Sequence, residues 1–125
     1  RLNAVCATLR RLAEFMLSKR SAPLALFIGR AQLAPSPPIV RMLREKVLPK
    51  LESLAQEVAG LRPDLNLAQA KVITICLFGM SLGVRHQWAS MQMLLGHHVA
   101  EQGTAEILLN QLDHSVRALL AQPRN

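Results

Sequence analysis

The chain has 125 residues, half of them apolar, and a formal net charge of +7. That length suits a single domain, residues 1–125, with enough apolar side chains to bury a core. Aromatic residues make up only 3% and tyrosine is absent, so the composition favours helices and argues against a nucleic-acid surface built on base stacking. Cys6 and Cys76 lie far apart on apolar helical stripes, so we expect buried thiols in a reducing cytoplasm rather than a disulfide.

The positive charge is concentrated towards the N-terminal end. Residues 1–30 hold six Lys or Arg against a single acidic residue. A solvated basic face is one explanation. The alternative is that this end of the domain lies near a polyanion.

Apolar spacing predicts the first two helices. An amphipathic helix covers about residues 2–19, because apolar side chains recur there every three or four positions. Ser21 can cap a second helix, which Pro35 ends. The buried side of this second helix is predicted to consist of Leu24, Phe27, Ile28 and Ala31.

Three prolines fall within or beside a long third helix, residues 36–59. Ser36 is a suitable N-cap, and Pro37 and Pro38 then occupy the first turn, where backbone N–H groups have no intrahelical partner. Pro49 lies inside the helical pattern and removes a hydrogen bond to the carbonyl of Glu45, which predicts a kink. Gly60 is predicted to follow the last helical residue.

The fourth helix, Leu67 to Val84, is apolar on nearly every side. Asn66 and Gln69 have the spacing of a capping box at its start. Between Lys71 and Arg85 there are 13 uncharged residues, fewer than the roughly 18–20 of a membrane span. We therefore expect no membrane span, but a central helix with the protein's own core on one side and a partner subunit on the other.

The C-terminal part is predicted to hold a short helix, residues 86–96, and a long one that Thr104 caps and that ends near residue 121. Apolar residues at helical spacing give the long helix one clean stripe. The fold class is therefore all-α, a bundle of five main helices plus one short helix. The stripe consists of Ala105, Leu108, Leu112, Val116 and Leu119.

Motifs for catalysis or metal binding are not found. The four histidines have no His-x-x-x-His spacing, and no acidic residue nearby completes a set of three or four ligands. There is no glycine-rich phosphate loop, and no serine lies in a nucleophile-elbow motif. We therefore expect no enzyme, no metal and no cofactor.

Large side chains on the second, fourth and short helices could instead line an apolar pocket. Methionine adapts to ligands of varied shape, and a few polar groups would complete such a site. The alternative is that these side chains only fill the core. The predicted ligand-binding residues are Phe27, Arg30, Phe78, Met80, His86, Trp88 and Met91.

The segment RAQLAPSPPIVRMLREKVLPKLESLAQEVAGL, followed by ITICLFGMSLGVRH, resembles the C-terminal domain of TetR-family transcriptional regulators, and most of all their YbiH-like branch. The resemblance covers about residues 8–121. The residues that match are Arg30, Pro35, Ser36, Pro37, Pro49, Gly79, Leu82 and Arg85. The residues that depart from the branch pattern are Ala31, Met80, Gly83 and Val84.

This resemblance implies the ligand-sensing and dimerisation domain of a repressor. Residues 67–85 and 104–121 would form a four-helix bundle with a second copy, and a small hydrophobic effector would change the DNA affinity of a helix-turn-helix module that precedes the domain. The alternatives are a helical protein–protein interaction module without a small ligand and a small helical enzyme. The predicted dimer-interface residues are Ile75, Gly79, Leu82, Leu108, Leu112, Val116 and Leu119.

Overall fold

The computed structural model describes residues 1–121, and this part of the chain contains helices and no strand. The all-α prediction is confirmed, and so is the count of five main helices and one short helix, since α3, a π-helical turn and α4 follow one another without a break. The elements are α1 (Leu2–Leu17), α2 (Ser21–Leu33), α3 (Pro37–Met42), the π-helical turn (Leu43–Val47), α4 (Leu48–Leu61), α5 (Leu67–His86), α6 (Trp88–Leu95) and α7 (Thr104–Leu120).

Helix α5 is the centre of the fold and contacts α1, α2, α4 and α7. It begins at the predicted capping box: Gln69 N–H donates to Asn66 Oδ1 over 2.8 Å, and Asn66 N–H donates to Gln69 Oε1 over 2.9 Å. By length and composition alone α5 could cross a membrane. The central helix of a globular domain meets the same criterion, and α5 packs against four other helices.

The core consists of two apolar clusters arranged along α5. Both form because α1, α2, α4 and α7 turn apolar side chains towards α5, which removes these side chains from water. The first cluster joins α1, α4, α5 and α7 and holds Val5, Cys6, Leu9, Val58, Ala70, Leu77, Val116 and Leu120. The second joins α1, α2 and α5 and holds Met16, Ala25, Leu82 and Val84.

Helix α2 contacts α1 and α5 through its small residues. Ser21, Ala25 and Ala31 are buried, whereas Leu24 and Phe27 are each 41% exposed. The prediction that Leu24 and Phe27 lie on the buried side is therefore wrong. Short side chains are the ones that let two helix backbones approach closely, and the larger residues are left on the outer side.

The π-helical turn ends at Val47, two residues before Pro49. Proline has no backbone N–H, so the regular bond to the carbonyl of Glu45 cannot form. The chain widens instead, and Leu48 N–H donates to the carbonyl five residues earlier, that of Leu43. The irregularity predicted at Pro49 is thus a π-helical turn. Ser36 and Pro37 begin α3 as predicted, although the Ser36 side chain makes no capping bond.

Three other predictions about helix ends were wrong. Helix α4 continues through Gly60 to Leu61, and the glycines with positive φ are Gly96 and Gly103. Gly103, at φ 70°, is the residue before α7, so Thr104 lies inside the helix and its hydroxyl is hydrogen-bonded to His97 Nε2 over 2.8 Å. Ser21 is likewise the first residue inside α2.

Arg62 links the turn between α4 and α5 to the end of α7 through hydrogen bonds. Its Nη1 donates to the carbonyl of Leu119 over 2.8 Å, while Nε and Nη2 donate to the two carboxylate oxygens of Asp64 over 2.8 and 2.7 Å. These bonds to the charged carboxylate hold the pKa of Asp64 below its usual value. One C-terminal carbonyl of α7 thereby gains a partner.

The two cysteines differ in environment. Cys6 is 2% exposed within the first core cluster, as expected, and burial raises the pKa of its thiol. Cys76 lies on the outer side of α5 and is exposed, so the prediction that it is buried was wrong. The reason is that one side of α5 has no neighbouring helix.

Candidate ligand and dimer surfaces

The side of α5 that no helix covers carries Val72, Ile75, Cys76 and Gly79, and we call these four residues the open face of α5. Val72 is 58% exposed and Ile75 67% exposed. Their spacing places the four on one side of the helix. Contiguous exposed apolar residues on the central helix of a small domain mark a contact surface.

Gly79 leaves open space at the middle of this face. A Cβ built on Gly79 would meet no atom within 4 Å outside its own helix segment. A glycine in such a position permits close approach of a second backbone. The open face thus combines apolar side chains with a position where another helix can pack closely.

A groove of about 370 Å³ runs between α5 and α7 beside the open face. Gly79 and Met80 line it from α5, Leu108 and Leu112 from α7, and Met91 from α6. The groove therefore brings together three of the predicted dimer residues and two of the predicted ligand residues. A partner helix and a small apolar molecule are both chemically compatible with this lining.

The other predicted dimer residues are divided between surface and core. Ile75 is on the open face, and Leu119, 37% exposed, is near the end of α7. Leu82 and Val116 are 8% and 3% exposed because they belong to the protomer's own core clusters. Leu82 and Val116 therefore contact their own protomer's core and present little surface to a second copy.

A second groove, of about 450 Å³, separates α2 from the end of α5, and we call it the Arg30 groove. Its wall is apolar and is formed mainly by Ala22, Ala25, Leu26 and Leu33. Its charged or ionisable side chains are Arg30, Arg85 and His86. Two of the predicted ligand residues, Arg30 and His86, thus converge on one site.

The seven predicted ligand residues do not surround a single pocket. Met80 and Met91 line the α5–α7 groove, and Arg30 and His86 line the Arg30 groove. Phe78 packs half-buried against the second core cluster, and Phe27 is exposed on the outer side of α2. The division follows from α2, which contacts its neighbours through small residues and leaves Phe27 on its outer side.

Arg85 connects three helices at the end of α5. Its Nε lies 3.1 Å from the carbonyl of Met16 and 2.9 Å from Ser21 Oγ, and its Nη2 donates to the carbonyl of Ser18 over 2.7 Å. The guanidinium also stacks on Trp88, 3.9 Å from the ring centroid. Arg85 therefore joins the end of α1, the start of α2 and the start of α6.

Sequence reasoning missed this junction. The sequence pointed to Arg85 only as a residue that matches the TetR-family pattern. Ser21 was predicted to cap a helix, whereas Ser21 is fully buried and its hydroxyl is hydrogen-bonded to Arg85. The available signal was the one arginine that ends an otherwise uncharged stretch of α5. A half-buried cation in that position requires carbonyl or hydroxyl partners from neighbouring elements.

His97 and His98 lie in the connector between α6 and α7 and contact side chains of the helices beside it. His98 packs edge-on against Trp88, with the ring centroids 5.7 Å apart, and His97 bonds Thr104. Among residues 1–121, no three His, Cys, Asp or Glu side chains gather where they could hold a metal ion.

Comparison with known proteins identifies a family. No curated protein and no solved structure matches the chain. A family model described as "HTH-type transcriptional dual regulator CecR, C-terminal domain" matches residues 3–122, almost the whole chain. This family is a group of C-terminal domains of TetR-type regulators. The chain therefore belongs to the CecR C-terminal domain family.

Proposed function

We propose that the chain is the ligand-sensing and dimerisation domain of a cytoplasmic TetR-like transcriptional repressor. In this proposal a small hydrophobic effector binds the domain and changes the DNA affinity of a helix-turn-helix module that precedes it. DNA would be bound only through that module, and neither a membrane nor a cofactor would be required. On the match of Arg30, Ser36 and Pro49 we assign the chain to the YbiH-like branch.

The open face of α5 is the observation that carries the proposal. It lies on the helix that organises the core, it is apolar, and the α5–α7 groove continues it. A two-fold dimer would place the same patch of each copy against the other. The pair α5 and α7 from each copy would then form a four-helix bundle, with Gly79 at a point of close approach.

An effector acts in this scheme by binding one arrangement of the dimer more tightly than another. Its effect on DNA binding is limited by the difference between those two affinities. The α5–α7 groove and the Arg30 groove are both within the range of about 300–1,000 Å³ that small-molecule sites occupy. Both grooves also border α5, so a ligand in either one would contact the helix that forms the proposed dimer interface.

Ile75→Arg tests the dimer without disturbing the protomer, because most of the Ile75 side chain is already in water. Full burial of an isoleucine side chain contributes about 1.5–3 kcal/mol. Two-thirds of that, counted in both copies, is about 2–4 kcal/mol, which raises the dimer Kd about 30- to 700-fold.

Size-exclusion chromatography with light scattering measures the result. We expect the wild type to be a dimer and Ile75→Arg to be a monomer with unchanged helicity. Leu33→Arg is the matched control, since Leu33 is 89% exposed on α2, away from the open face, and it should remain dimeric. A monomeric wild type, or a dimer that Ile75→Arg leaves intact, would overturn the proposed interface.

Effector binding has an intrinsic reporter. Trp88 is the single tryptophan and stacks on Arg85 at the edge of the Arg30 groove. A screen of hydrophobic small molecules should yield compounds that change its emission and raise the melting temperature. A screen in which both signals stay constant would refute the sensing role.

A helical protein–protein interaction module without a small ligand is the second candidate. The observation in its favour is that apolar side chains are exposed away from the open face as well, among them Leu33 at 89% and Met93 at 76%. This function predicts a monomer that forms a hetero-complex. The light-scattering experiment separates it from the first proposal.

A further inference from the structure

We infer that the Arg30 groove binds an anionic amphiphile, a small molecule with a hydrophobic body and a carboxylate or similar headgroup. This inference rests on the proposed function and specifies the chemical class of its effector. It starts from the lining: an apolar wall that includes Ala25 and Leu26, and a rim formed by Arg30, Arg85 and His86. The wall suits a hydrocarbon body, and the rim suits a negative charge.

Acidic residues are absent from the segments that build this site. No Asp or Glu occurs between Glu14 and Glu45, a stretch that contains all of α2, and none occurs between Asp64 and Glu101, which includes all of α5 and α6. Both walls of the groove therefore carry positive charge that no carboxylate of their own helices offsets. The charge complementarity selects an anion.

Arg30 is available to a headgroup. It is exposed, and none of the ion pairs among residues 1–121 involves it. Arg85 is held in place across the groove by its bonds to α1 and α2. One guanidinium is thus fixed by the fold, and the other is free to close on a bound carboxylate in the fork geometry that arginine favours.

Favourable interaction with helix dipoles is an alternative explanation for the positions of Arg30, Arg85 and His86. Arg30 lies in the last turn of α2, and Arg85 and His86 lie in the last turn of α5, where cations are favourable. Dipoles explain cations at each helix end. They do not explain why both ends meet across one apolar groove, and they predict no preference among ligands.

The test compares three probes of equal chain length, decanoate, decanol and decyltrimethylammonium, titrated into the full chain at fixed ionic strength. Trp88 emission and isothermal titration calorimetry report binding independently. We expect decanoate to bind about tenfold or more tightly than either other probe, as one charge-assisted contact provides. Arg30→Gln should remove this preference and leave the affinity for decanol unchanged.

Arg41→Gln is the control, because Arg41 is exposed on α3 and does not line the groove; it should retain the preference. Equal affinity for decanoate and decanol would overturn the inference, and so would a preference that survives Arg30→Gln or an absence of decanoate binding. If decanol binds without an anion preference, the sensing function stands and only this inference fails. If no probe or screened compound binds, the sensing function fails with it.

Discussion

Replacing Arg85 by methionine removes the contacts that hold the ends of α1, α2 and α5 together. The change keeps a long, flexible side chain but removes two N–H donors: Nε–H, which is shared between the Met16 carbonyl and Ser21 Oγ, and Nη2–H, which donates to the Ser18 carbonyl. It also removes the cation from the face of the Trp88 ring. We expect the free energy of unfolding to fall.

The size of the fall can be worked out from these contacts. A hydrogen bond from a charged donor contributes about 1.5–3 kcal/mol, and an exposed to half-buried cation–π contact about 0.5–1 kcal/mol. Arg85 is half-buried, and Ser21 Oγ remains 2.9 Å from the Met16 carbonyl after the change, so the lower end applies. The sum, reduced for non-additivity, is about 3–4 kcal/mol, a large part of the about 5–15 kcal/mol of a typical domain.

Urea unfolding followed by far-ultraviolet circular dichroism measures this difference. Arg85→Lys keeps the charge but not the planar fork, so it should lose about half as much. Arg44→Met, at an exposed position in the π-helical turn, should stay within about 0.5 kcal/mol of wild type. If Arg85→Met also stays within about 1 kcal/mol, the junction does not stabilise the fold and our reasoning is refuted.

Three further outcomes follow from local contacts. In the monomeric Ile75→Arg variant, where no second copy covers the open face, a thiol reagent should label Cys76 quickly and Cys6 only on unfolding, since Cys6 is buried and its raised pKa keeps it protonated; rapid labelling of both contradicts the core assignment. Asn66→Ala removes the capping box and should lower the free energy of unfolding in urea by about 1 kcal/mol. An unchanged urea midpoint would show that the capping box does not stabilise α5. Because the pKa of Asp64 is lowered in the folded state, its contribution is present above the ordinary value of about 3.9 and disappears as the pH falls through the lower folded value. Asp64→Asn should therefore be less stable than wild type at neutral pH and equal to it in strong acid, and a difference that persists in acid would contradict the sign.

The helices were predictable because their signals are local. The apolar stripe of α1, the double proline that begins α3 and the capping box before α5 depend only on residues close in sequence. The sequence also predicted that the protomer's own core would cover only one side of α5, because a helix that is apolar all round needs neighbours on both sides. Which side would be open was not predictable, since it depends on where α1 and α4 pack.

The candidate site was less predictable because it depends on contacts between distant residues. Phe27 has the same helical spacing as a core residue, yet the small Ala25 and Ala31 make the contact with the core. Leu82 and Val116 are among the predicted interface residues, but the protomer itself buries them. Arg85 reaches carbonyls 67 and 69 positions away in the chain, and no periodicity within one helix encodes such partners.

The π-helical turn at Leu43–Val47 has a consequence for the two halves of the long segment that contains it. One extra residue in a helix rotates everything beyond it by about 100° relative to an uninterrupted α-helix. Val40 and Leu43, before and within the turn, line a groove beside α2 together with Leu48 and Leu51 beyond it, and further along α4 Ala55 and Val58 are buried. Deleting a single residue there would restore a regular α-helix and rotate α4 relative to α3 about the common axis, so that one of the two would lose its contacts. The π-helical turn therefore determines which side chains of α3 and α4 face the rest of the protein.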